Sequence, residues 1–209
     1  MEVESTYDAV SGFFHAWVGL MENHTREMEV RDSVLRDSKI LIISPPTDTG
    51  IGALTRANQC GASYLLCFSA RAESIAKEYC QRHGIQRLQT VVAPFFSIPF
   101  RNREFDIIFA NCFFDCCLPR ELNPIIDELR RALRQGGTLY SVHMGIPSGS
   151  MNHVWAWLLR RIPGPGRGFA PVSIVPSLAS RGFTILRNRQ PERFGFPLRY
   201  VQAKKPEAV

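Results

Sequence analysis

The chain has 209 residues and a mass of 23.6 kDa, with 45% hydrophobic and 21% charged side chains, enough apolar material for one sizeable core in a single domain. No run approaches the ~20 apolar residues that span a bilayer, and the acidic start Met1-Glu2-Val3-Glu4 is unlike a signal peptide, so a cytoplasmic protein without a transmembrane segment is expected. The formal charge of +6 is uneven: residues 1–38 hold 8 acidic and 3 basic side chains and residues 129–209 hold 2 acidic and 13 basic, a split that draws the two ends of one fold together or steers an anionic ligand.

In chain order, Tyr7 to Met21 is aromatic-rich with a roughly helical period and runs into a charged helix at about 25–36, so residues 1–38 predict a helical lid. A core over 39–143 follows by alternation: strand 39–44, helix 50–59, strand 63–67, helix 71–83, strand 88–93, strand 105–110, helix 120–134 and strand 138–143. Strand and helix taking turns predict βαβ units, and with them an α/β fold on a doubly wound, mostly parallel, seven-stranded sheet. Gly136-Gly137 stops the last of these helices, with Arg130, Arg131 and Arg134 loading its negative end. At 144–172 the pattern breaks into a Trp-rich helical piece and a Pro/Gly-rich loop, read as an insertion capping the cleft. The closing segment, 173–209, reads as a helix at 173–181 and an antiparallel hairpin of strands 183–188 and 197–204. The arginines come in isolated pairs, Arg130-Arg131 and Arg160-Arg161, with no base-reading module beside them, so no nucleic-acid partner is expected. Six scattered cysteines lack the spacing of a disulfide framework and read as reduced thiols. Cys112, Cys116 and Cys117 lack a zinc spacing, so no metal is expected.

Open α/β sheets bind ligands beyond the carboxyl ends of their strands. That rule places Asn111, Cys112 and Asp115 at the cleft, together with His143 at the end of the following strand. Asp115 is the leading general-base or hydrogen-bonding candidate, and it reads equally as a helix N-cap ahead of Leu118-Pro119. His143 is a candidate acid or base titrating near neutrality, with a structural histidine as the bland reading. Tyr7, Phe14, His15 and Trp17 of the lid, Cys112 and Phe113 after the strand, and His153 and Trp155 of the insertion are candidate substrate contacts. Of Phe13, Phe14, Trp17, Phe95, Phe96, Phe113, Phe114, Trp155 and Trp157, half are expected in the core; the remainder suit a greasy pocket for a hydrophobic small molecule.

Two segments, Ile98-Pro99-Phe100 with Glu104-Phe105-Asp106-Ile107-Ile108, and Leu129 to Leu139 with Gly136-Gly137, resemble signatures of the class I S-adenosylmethionine-dependent methyltransferase superfamily, in its type 11 or ubiquinone-biosynthesis-like branch. The Tyr7-Asp8 start and the closing hairpin fit as well, so the resemblance covers nearly the whole chain as one methyltransferase-like domain. It implies a Rossmann-like methyltransferase fold and S-adenosylmethionine as cofactor. It also implies where the cofactor would be held. The acid after the first strand and the loop glycines fall on Ser44, Pro46, Asp48 and Gly50, with Gly52 following. The ribose-gripping acid falls on Cys67, and the adenine-facing acid on Pro94. Proline removes a donor, and Asp48 puts negative charge where the cofactor's carboxylate belongs. Losing three charge-assisted contacts at ~1.5–3 kcal/mol each weakens binding by several orders of magnitude. The expectation is therefore a degenerate site and no cofactor, with S-adenosylmethionine held by backbone donors at 49–52 as the alternative.

Drifted members of this superfamily include cyclases and pericyclases. The resemblance thus implies an enzyme of natural-product biosynthesis that works on a hydrophobic small molecule by cofactor-independent cyclisation or a pericyclic-type rearrangement. An S-adenosylmethionine-dependent small-molecule methyltransferase is the alternative, and a non-catalytic pseudo-methyltransferase, acting as a homodimer or on a protein partner, the second alternative.

Overall fold

The computed structural model describes residues 35, 37–144, 172–190, 192–193 and 196–207; the expected lid and cap insertion lie, but for a few flanking residues, outside them. The described elements are β1 (Lys39–Ile43), α1 (Thr49–Ala57), β2 (Ala62–Cys67), α2 (Ala70–Arg82), β3 (Leu88–Val92), β4 (Phe105–Asn111), a 3-10 turn (Phe114–Cys116), α3 (Pro119–Ala132), β5 (Leu133–Met144), α4 (Val175–Ser180), β6 (Thr184–Arg189), β7 (Glu192–Arg193) and β8 (Phe196–Lys204). The sheet order is β3-β2-β1-β4-β5-β8-β6, with the two-residue β7 paired to β8 off this path. β3 to β5 pair in parallel, and β8 runs antiparallel to both β5 and β6. This is the Rossmann-like, mostly parallel sheet with an antiparallel closing hairpin that the alternation of elements predicts.

β1 lies inside the sheet, and Ile40, Leu41, Ile42 and Ile43 are all fully buried, the continuous apolar run of a parallel strand covered on both faces. Successive residues point to opposite faces. Leu41, Ile43 and Leu66 pack with Ile125 and Leu129 of α3 and Leu178 of α4. Ile40, Ile42 and Leu65 pack with Ile51 and Leu54 of α1 and Ala72 and Ala76 of α2. Two helical layers therefore clamp one sheet, which makes the fold doubly wound. Between β1 and β4 the strand order reverses, and at such a switch point the loops part to leave a crevice at the carboxyl edge.

Helix α3 starts with Pro119, and the Glu121 carboxylate accepts from the Leu118 N–H at 2.9 Å. The N-cap reading of Asp115 is thereby overturned. The same helix ends at Ala132, two residues sooner than the sequence suggests, and β5 begins at once with an irregular register between Phe105 and Ile107 of its neighbour. Arg134 thus lies past the helix, and its Nε meets Asp106 Oδ1 at 2.6 Å. The helix end is capped instead by Lys205, whose Nζ donates to Arg130 O at 2.6 Å and Leu133 O at 2.7 Å. In the bulge Gly136 takes φ 70° and donates to Lys205 O at 3.0 Å, a conformation that glycine adopts without strain.

Candidate functional site

Carrying the register of β1 on by one or two residues sets Ser44 beside Cys67 of β2 and Asn111 of β4. Cys67 in turn pairs with Val92, and Asn111 with Val142. One row along the carboxyl edge thus holds the ends of all five parallel strands, at the ~4.8 Å spacing of neighbouring chains. It divides into a cofactor side, β1 to β3, and a second side, β4 and β5.

On the cofactor side the loop after β1 closes on itself. Asp48 N–H donates to Pro45 O at 2.9 Å, and Asp48 Oδ1 accepts from Gly50 N–H at 2.6 Å as the N-cap of α1. A glycine loop leaves such helix donors open to an anion; here the chain's own buried carboxylate takes one of them. Ser44 is buried, with Oγ 3.4 Å from Pro45 O. Gly52 faces Arg56 and Ile85, where an added Cβ would stand 3.1 and 3.2 Å from their side chains, so its smallness serves packing away from the strand ends. Cys67 is buried, and its carbonyl accepts from Ala93 N–H at 3.1 Å, tying β2 to β3. The Pro94 carbonyl accepts from Ser97 N–H at 3.1 Å. Ser44, Cys67 and Pro94 bring no carboxylate to the ends of β1, β2 and β3, and the residues present do not fit the acid-mediated grip on S-adenosylmethionine that the resemblance implies.

The second side is built differently. Asn111 is buried at the end of β4. Cys112 turns the chain at φ 51° and donates its N–H to Val142 O at 2.7 Å. Phe113 is fully buried in an aromatic cluster, with ring centroids 5.7 Å from Phe68 and 5.9 Å from Phe95; the expected substrate contact is a core residue. The 3-10 turn then brings Asp115 back to β5, where Oδ1 accepts from Met144 N–H at 2.7 Å. Burial pushes the Asp115 carboxyl up to about 7, against the opposing pull of that single N–H. Near neutral pH the group is half protonated and can both give and take a proton. The Cys116 and Cys117 thiols are pushed well above their usual range by burial and behave as small hydrophobes.

His143 departs from expectation. Burial, reinforced by the nearby Arg199 cation, lowers its pKa to about 3, so the ring is neutral and does not serve as a near-neutral acid or base. It sits on the α3–α4 face of the sheet, edge-on to Phe114 at 6.4 Å. Nδ1 is 3.1 Å from Ser141 Oγ, and Nε2 has no partner among the described residues. Tyr7, Phe14, His15, Trp17, His153 and Trp155 lie outside the described residues. Arg199 and Asn188, which share the His143 face, escape sequence reasoning: cross-strand register in the closing hairpin brings them there, and only a charged residue inside a strand hints at it.

Among the described residues no group of three or more His, Cys, Asp or Glu could hold a metal ion, and no helix is long and apolar enough to cross a membrane. A family described as "Methyltransferase domain" matches residues 48–141. No curated protein matches the chain. Among solved structures, an S-adenosylmethionine-dependent methyltransferase from Methanosarcina mazei superposes with a TM-score of 0.70 at 19% identity, over 86% of this chain and 98% of that one. The methyltransferase SibL gives 0.76 at 17% identity, over 93% of this chain and 57% of its own. The [4+2]-cyclase SpnF gives 0.67 at 16%, over 88% of this chain and 82% of its own. The family match covers residues 48–141, and the fold is the Rossmann-like methyltransferase fold; at these identities the likeness to solved structures carries the fold alone.

Proposed function

Taking the chain as a class I methyltransferase-superfamily domain, we propose that it is an enzyme acting on a hydrophobic, natural-product-like small molecule through cofactor-independent cyclisation or a pericyclic-type rearrangement. The observation that carries this reading is Asp115, a buried carboxyl at the carboxyl edge of the sheet with a pKa of about 7 and one backbone donor. Buried carboxyls with perturbed titration are functional candidates. Support comes also from Asp48, which caps α1 with the kind of charge a cofactor would bring.

A flexible apolar chain held between aromatic surfaces loses the entropy that keeps its reacting ends apart. Protonated Asp115 then donates a hydrogen bond to charge developing along the chain. Where the cyclisation moves a proton, Asp115 gives one and takes one back, so the product is an isomer of the substrate and the carboxyl is restored. Asn111 offers an amide at the same edge as a second polar handle. The likeness to a chain described as a [4+2]-cyclase fits this reading at the level of fold.

A second reading is favoured by the family match over residues 48–141, which takes in α1 to β3 of the cofactor side: methyl transfer from S-adenosylmethionine to a small molecule. Calorimetric titration with S-adenosylmethionine and S-adenosylhomocysteine separates the two. The proposal expects no heat of binding up to about millimolar ligand, whereas micromolar affinity would establish the second reading and sink the first.

A further inference from the structure

His143 and Arg199 stand directly opposite each other in the antiparallel β5–β8 register, and opposed residues share a face. Asn188 stands opposite Val201, two residues along β8, so it emerges on that face as well. The three gather where the apolar surface of Leu139, Val201 and Ala203 ends, under the segment that leads into α4. Between them is a pocket of ≈ 190 Å³ with Val172, Ile174, Val175 and Pro176 as its apolar wall and His143 and Arg199 as its polar floor.

Packing leaves two features of this floor unexplained. The Arg199 guanidinium is held by neutral acceptors, Nη1 on Asn188 Oδ1 at 3.1 Å and Nη2 on Gln190 Oε1 at 3.2 Å. No carboxylate pairs with it among the described residues, and three of its five N–H donors remain. His143 is 1% exposed, and its Nε2 is buried with no partner among the described residues, a costly state for a polar atom. When Ser141 Oγ donates to Nδ1, the ring proton sits on Nε2 and gives it a donor.

We propose that this pocket binds the carboxylate of a small apolar acid: Arg199 supplies the charge, His143 Nε2 a hydrogen bond, and the Val172–Pro176 wall a surface for a short hydrocarbon chain. A planar guanidinium fork matches a planar carboxylate. A phosphate dianion would ask for more charge than one arginine and a neutral imidazole provide. The volume is below the ~300–1,000 Å³ of a site for a drug-sized ligand, so the pocket takes an acid of a few carbons or the acidic end of a longer molecule. The inference stands apart from the reaction proposed for Asp115, since it concerns binding alone.

The test is an NMR titration of the ¹⁵N-labelled full chain at neutral pH with 3-methylbutanoate, with 3-methylbutanamide as its neutral isostere and with inorganic phosphate. The acid is expected to give saturable shifts at Ser173, Ile174, Val175 and the Arg199 Nε–H, with the amide and phosphate at least about tenfold weaker. Arg199→Gln is expected to weaken the acid about tenfold or more, and Arg199→Lys less. Equal binding of acid and amide, tighter binding of phosphate, shifts confined to other residues, or no saturable shift would each overturn the proposal. The comparison of acid with amide on the unaltered protein decides the matter even where a variant fails to fold.

Discussion

Two carboxylates are buried at the carboxyl edge of the same sheet and do different things. Asp48, on the cofactor side, accepts from Gly50 N–H and starts α1; its charge is committed to the helix that follows. Asp115, on the second side, sits in the short 3-10 turn ahead of α3 and accepts one N–H, from Met144 of the neighbouring strand. Burial is nearly equal, at 3% and 5% exposure. What differs between the two is the element that supplies the donor. A helix N-terminus adds dipole and amides in favour of the charge, whereas a single strand amide leaves desolvation in command of Asp115.

The largest effect expected from this contrast is on turnover. Asp115→Asn keeps an oxygen for the Met144 N–H but removes the proton that the proposed reaction moves, so kcat is expected to fall by about 10²–10⁴-fold. Stability above pH 7 is expected to rise, because the uncharged amide escapes the desolvation that the carboxylate suffers. Turnover of purified variant, compared with its denaturation midpoint at pH 8, reads both. Full activity in this variant would make Asp115 as structural as Asp48.

Next in size is a pair of opposed pH slopes. The Asp115 pKa is raised from 3.8 to about 7, so its contribution to stability is present below 3.8 and is lost as pH rises through 7. That of His143 is lowered from 6.5 to about 3, so its contribution is present above 6.5 and is lost as pH falls towards 3. Each amounts to roughly 4–5 kcal/mol at full extent, and between pH 4 and 6.5 they oppose each other. Urea unfolding of the wild type is expected to change little with pH across that window on account of these two groups. Asp115→Asn should tilt the curve so that stability falls towards acid, and His143→Gln should tilt it the other way. Two variants whose curves merely parallel the wild type would show that neither group is desolvated as described.

The contrast also marks what the sequence makes legible. Hydrophobic runs and turn residues mark the core elements to within a few residues, because each strand from β1 to β5 is separated from its neighbour by a helix or a breaker; the exception is the start of β5, which lies five residues before the expected one, inside the expected helix. The strand-end rule places Asn111 and Asp115 at the carboxyl edge, since it needs only the point at which a strand stops. The direction of His143 is not legible: β5 is buried on both faces from Tyr140 to Met144, so no polar alternation tells which side the imidazole takes. Arg199, Asn188 and Lys205 are missed for a related reason. Their roles arise from β8 lying between β5 and β6, an adjacency that joins residues tens of positions apart and leaves no local pattern. Asp48 shows the converse. Its sequence position implies a clash with a cofactor, and only the geometry reveals that its charge is satisfied within the chain.

The smallest expected effect tests that last point. Asp48→Ala removes the cap of α1, which costs ~0.5–2 kcal/mol in comparable helices, while Asp48→Asn, able to accept from the same N–H, should cost less. Neither should alter the rate of a reaction centred on Asp115, because the two carboxylates stand on different loops of the edge. The informative measurement is S-adenosylmethionine binding to the Asp48→Ala protein. If affinity appears when the carboxylate goes, then the Asp48 charge is what excludes the cofactor. If it does not, the Asp48 charge is not what decides cofactor binding, and Asp48 answers to the helix alone.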